Sequence, residues 1–79
     1  MFEVTFVYVD KIVPSLCNSW DDEYDEMKDV IEDLNAWEFC TDYAGWINEL
    51  DDKKHTMTEL IFSQESLMTS IYVKVTKTC

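Results

Sequence analysis

Seventy-nine residues, nearly half of them apolar and eleven aromatic, exclude a disordered acidic tail and leave room for one small packed core spanning residues 1–79. A net charge of −11, with six lysines, no arginine and seventeen acids, argues against direct binding to nucleic acid. One glycine in the chain excludes phosphate-cradling loops, and no apolar run approaches the ~20 residues of a membrane span, so a soluble cytoplasmic protein is expected.

Residues 2–9 alternate as a strand, with Phe2, Val4, Phe6 and Tyr8 on one face and Glu3 and Thr5 opening the other. Asp10 and Lys11 then turn, and Pro14 keeps residues 12–16 out of any central strand. From Trp20 to Trp37 the spacing predicts one long amphipathic helix, capped by Ser19. Its apolar side holds Trp20, Tyr24, Met27, Ile31 and Leu34, with Val30 at the margin. Asp22, Asp25, Glu26, Asp29, Glu32 and Asp33 fall opposite.

Thr41 would cap a second, short helix in which Tyr43, Trp46, Ile47 and Leu50 form the buried set. A rival reading makes Trp37, Phe39 and Thr41 an alternating strand. Residues 56–63 and 68–77 read as strands around a loop at 64–67, and so short a connection pairs them antiparallel. Ile71, Val73 and Val75 would face inward. The expected fold is α+β in two layers, a three-stranded sheet of order β-α-α-β-β with both helices on one face.

Charge is distributed unevenly along this scheme. Residues 20–52 hold thirteen of the acids and one base, Lys28; elsewhere four acids meet five lysines. On a helix, Asp22/Glu26, Asp25/Asp29 and Asp29/Asp33 would be like-charged i,i+4 pairs, each unfavourable by roughly 0.2–0.5 kcal/mol. Interspersed lysines would have provided solubility without that penalty. A one-sided row therefore points to use, although a solvated face alone would look the same.

Catalytic patterns are missing: there is no G-x-S-x-G, H-E-x-x-H or calcium loop, so the expectation is not an enzyme and no cofactor. Cys17, Cys40, Cys79 and His55 are scattered and lack the paired spacing of a zinc site. Cys17 and Cys40 are expected as buried thiols, and His55 as a solvated residue in a lysine-rich turn.

In size, charge and lack of catalytic motifs the chain resembles the small acidic inhibitors of phages and mobile elements. These include DNA mimics and anti-restriction or anti-CRISPR proteins. Eight acids on a helix of about 27 Å give one charge per ~3.4 Å, near the linear density of one strand of B-DNA. The leading expectation is thus a partner protein with a basic nucleic-acid-binding surface. Asp22, Asp25, Glu26, Asp29, Glu32 and Asp33 would act as phosphate surrogates and Trp37 as an aromatic anchor. The alternative is an interaction module that uses the sheet edge for strand addition, which includes pairing with itself as a homodimer.

Overall fold

Alternating apolar residues build the middle of the sheet. The structure, a computed structural model, describes residues 1–36 and 43–78. Strand β1 (Phe2–Asp10) buries Phe2, Val4, Phe6 and Tyr8 on one face. It pairs antiparallel with the last strand of the chain (Thr69–Lys77), which sets Val4 opposite Val75, Phe6 opposite Val73 and Tyr8 opposite Ile71. These facing pairs are all fully or nearly fully buried, and apolar contact across paired strands is what stabilises a sheet.

The second strand of the sheet corrects the expected helix. Residues 20–37 do not form one helix: β2 (Asn18–Tyr24) is extended and pairs antiparallel with β1. Helix α1 covers only Met27–Asn35. Ser19 therefore lies inside a strand and caps no helix. Trp20, Asp22 and Tyr24 share a face under a period of two, while Trp20 and Tyr24 share one under a period of 3.6, so both patterns suit the aromatic residues. Tertiary pairing decides between them. The turn after Asp10 returns the chain along the open side of β1, where the Trp20 ring stacks on Phe6 at 4.8 Å. An extended chain also sends neighbouring carboxylates to opposite faces, which removes the i,i+4 repulsions involving Asp22 and Asp25.

That return is built by one carboxylate. Asp10 accepts the backbone N–H groups of Ile12 and Val13 at 2.9 and 2.7 Å, and a 3-10 turn follows at Pro14–Leu16. These two donors hold the Asp10 carboxyl below the ordinary aspartate range. Cys17, expected to be buried, is exposed beside this turn. Cys40, Cys79, Trp37, the cap at Thr41 and the strand alternative at 37–41 lie outside the described residues.

Helix α2 (Tyr43–Lys53) follows, and its Trp46 and Leu50 are buried as the spacing predicts. Strand β3 (Glu59–Glu65) and β4 (Thr69–Lys77) form the expected antiparallel hairpin. Ser66 closes it, donating its N–H to the Thr69 carbonyl while its hydroxyl accepts the Met68 and Thr69 amides. Among the described residues the sheet has four antiparallel strands in the order β2-β1-β4-β3, not three, because residues 18–24 enlarge it at one edge. The architecture is α+β.

Register places every buried strand residue on one face of this sheet. Both helices cover that face: Met27, Val30 and Leu34 of α1 join Trp46 and Leu50 of α2 in one apolar cluster with β1, β3 and β4. Trp46 stacks on Phe62 at 5.4 Å and so ties α2 to β3. The other face carries Glu3, Thr5, Val7 and Val9 of β1, Tyr72 and Lys74 of β4, and Ile61 of β3, with no helix over it among the described residues. No helix of the described residues is long and apolar enough to cross a membrane.

Candidate functional site

Residues 18–36 carry eight acids, three on strand β2, two in the bend after it and three on helix α1, and Lys28 is the only base in that segment. Lys28 is already engaged, 3.1 Å from Glu26, and that pairing raises its pKa. Within this segment no further base offsets the acids.

The six expected phosphate surrogates divide into three groups. Asp22 sits on the helix-covered face of β2, opposite Val4. Asp29, Glu32 and Asp33 project from α1 and, with Tyr24 and Ala36, line an open hollow of about 320 Å³. Among these lining residues, Tyr24 donates its phenol hydrogen to Asp33. Burial, then the Asp33 hydrogen bond, then the charges of Asp33 and Asp22 push the Tyr24 phenol far above the ordinary tyrosine range. Tyr24 thus stays a neutral donor that fixes Asp33.

Asp25 and Glu26 belong to a different depression, at the bend between β2 and α1. Lys28, Lys54, His55 and Lys77 line it with them, so its charge is mixed. His55 is exposed there, and Lys54 reaches Asp51 at 2.9 Å. The straight row of carboxylates expected from the sequence does not form. A seven-residue strand, a bend and a nine-residue helix replace it, and the match to the linear spacing of phosphates is lost.

The structure adds acids that helical spacing placed elsewhere. Asp21 and Glu23 point to the open face of the sheet, where Glu23 lies directly opposite Glu3. Thr5 donates its hydroxyl to Asp21 at 2.7 Å. A period-two reading of residues 18–24 would have found this group. Like charges facing across a strand pair are destabilising, so Glu3 and Glu23 add to the local repulsion. Among the described residues, no group of three or more His, Cys, Asp or Glu is arranged to hold a metal ion.

A second exposed surface stands at the opposite end of the sheet. Ile12, Val13 and Leu16 of the β1–β2 connection are exposed, as are Leu67 and Met68 of the hairpin loop, with Leu67 at 95%. The two loops are bound together: the Lys11 amide donates to the Met68 carbonyl, and the Lys11 ammonium holds Glu65 at 2.9 Å and the Ser66 carbonyl at 3.0 Å. No family model, curated protein or solved structure matches the chain.

Proposed function

We propose that this protein is a small acidic binding protein that inhibits a nucleic-acid-binding enzyme or effector by occupying its basic cleft. The observation that carries this reading is the run of eight carboxylates along β2, the bend after it and α1, a segment whose one base, Lys28, is already ion-paired. A surface of one sign steers a partner of the other sign and concentrates it locally. Within that surface, the hollow bounded by Asp29, Glu32 and Asp33 suits an arginine or lysine side chain of the partner. Asp22, Asp25 and Glu26 supply longer-range attraction. The protein acts in the cytoplasm on this reading, where such enzymes meet their substrates, and it resembles anti-restriction and anti-CRISPR inhibitors in this strategy.

The test is competition. Proteins captured on the immobilised chain from a bacterial lysate are challenged with duplex DNA and with a salt series. The triple variant Asp25→Asn, Asp29→Asn, Glu32→Gln is run beside it, with the Tyr24–Asp33 bond left intact. Expected is a partner released by DNA and by salt, and held at least tenfold more weakly by the variant, a loss of about 1.4 kcal/mol or more. A partner that ignores DNA, or that binds the variant unchanged, removes the basis of the proposal.

A further inference from the structure

We infer that the outer edge of β3 is a self-association site, through which two copies pair antiparallel about a two-fold axis at Ile61 to make one eight-stranded sheet. Hydrogen bonding identifies which backbone groups are offered. The Ser66 amide bonds to Thr69 and the Lys77 amide to Thr58, so even-numbered residues of β3 face β4. In an antiparallel ladder the alternate residues then direct N–H and C=O outward. Those are Glu59, Ile61, Ser63 and Glu65, and no strand of the described residues pairs with them.

Edges of this kind are usually blunted by charge, proline or a bulge. β3 has no proline, and its two acids are neutralised within the chain: Glu59 lies 3.3 Å from Lys74 and Glu65 lies 2.9 Å from Lys11. Ile61 between them is 53% exposed. In a chain of net charge −11, this is an edge that a second copy can approach without meeting unpaired carboxylates. β2 would instead set Asp21 and Glu23 against the acids of its copy.

Register is selected by the same residues. Outward groups must meet outward groups, so the two-fold axis falls at Ile61, Phe62 or Ser63. Centring on Phe62 opposes Glu59 to Glu65, and centring on Ser63 opposes Ile61 to Glu65. Centring on Ile61 sets Ile61 against its copy, Leu60 against Phe62 and Glu59 against Ser63, which is self-complementary as a two-fold interface requires. The two acidic edges then lie seven strand spacings apart, about 34 Å. That is roughly four Debye lengths at physiological salt, so their mutual repulsion is screened. Both edges stay free for a basic partner, and the pairing does not depend on the acid edge having one.

Sedimentation equilibrium tests this on the chain alone, at about 100 μM and with roughly 0.5 M NaCl to screen net charge. Expected is a mass twice the 9.4 kDa of one chain. Ser63→Pro removes an outward N–H without breaking the ladder to β4. Ile61→Lys opposes two ammonium groups across the axis. Each is expected to weaken dimerisation at least tenfold, and Ile61→Lys alone decides if the proline variant does not fold. Leu16→Ser with Leu67→Ser, on the apolar loops, should leave the dimer intact. A monomeric parent, an assembly larger than a dimer, a folded Ile61→Lys protein that still dimerises, or a dimer lost through the loop variants each overturns the inference.

Discussion

The two edges of this sheet are both seven residues long, and they solve the edge problem in opposite ways. β2 exposes Asp21, Asp22 and Glu23 with no basic residue in the strand, while β3 ends in two acids that each have a lysine partner. Unpaired charge on an edge strand discourages a further strand from adding to it. The acids of β2 thus oppose strand addition there, whereas those of β3 are neutralised within the chain and oppose it less. Each edge is also held by an aromatic stack, Phe6 with Trp20 on one side and Phe62 with Trp46 on the other. An edge's chemistry towards a partner is therefore separable from what anchors it to the core.

The largest expected effect comes from breaking one anchor. Phe6 is 2% exposed, and Phe6→Ala should cost roughly 3–5 kcal/mol in urea unfolding. Hydrogen exchange should show β2 amides losing protection before those of β3. Equal loss at both edges would mean that the two are not anchored separately.

A smaller effect tests the charge on β2. Glu23→Lys turns the like-charged pair with Glu3 into an opposite-charged one and should stabilise the fold by about 0.2–1 kcal/mol. The gain should shrink in high salt, as expected for exposed groups. A destabilised variant would show that Glu23 has a favourable role in the folded chain.

Acid sharpens the comparison from the other end. Asp10 is held below 3.8 by the amides of Val13 and Ile12, and Glu65 below 4.5 by Lys11. A lowered folded pKa gives stability that is complete above the unfolded value and lost as pH falls through the folded one. These contributions should be constant from pH 7 to about 5 and fade below about 4. Thermal melts of Asp10→Asn should show a lower melting temperature at pH 7 and a shallower acid slope than the parent. An unchanged acid slope would remove Asp10 as a contributor.

The smallest effect is spectroscopic. Tyr24 has its pKa raised from 10.0, so its contribution to stability is complete below pH 10 and is lost as pH rises beyond it. Phenolate absorbance should reveal a tyrosine that ionises only as the protein unfolds, and Tyr24→Phe should remove that late component. If the late component persists in the variant, Tyr24 is not its source.

Much of this arrangement was legible from residue order. Phe2, Val4, Phe6 and Tyr8 in β1, and Ile71, Val73 and Val75 in β4, alternate cleanly, and the short loop before β4 required an antiparallel hairpin. Tyr43, Trp46, Ile47 and Leu50 together fit only a helical period, because 43 and 47 break the alternation that 46 and 50 alone would allow. The bias of acids towards the middle of the chain was equally visible. Residues 18–24 were not legible, because Trp20 and Tyr24 satisfy two periods at once and local spacing has no term for an unpaired neighbour.

Local pattern alone thus determined the α+β class, the shared apolar face of β1, the inward face of β4, and the acidic character of one region, since each depends on periodicity or composition within a segment. Tertiary structure decided that residues 18–24 extend along β1 in place of continuing a helix, because ladder bonds to β1 and the stack on Phe6 exist only once that strand is present. It also decided that Tyr24 fastens Asp33, that Asp25 and Glu26 join lysines instead of the other acids, and that Lys11 and Lys74 neutralise β3. Those pairings join residues distant in the chain, and only the folded sheet brings them within reach.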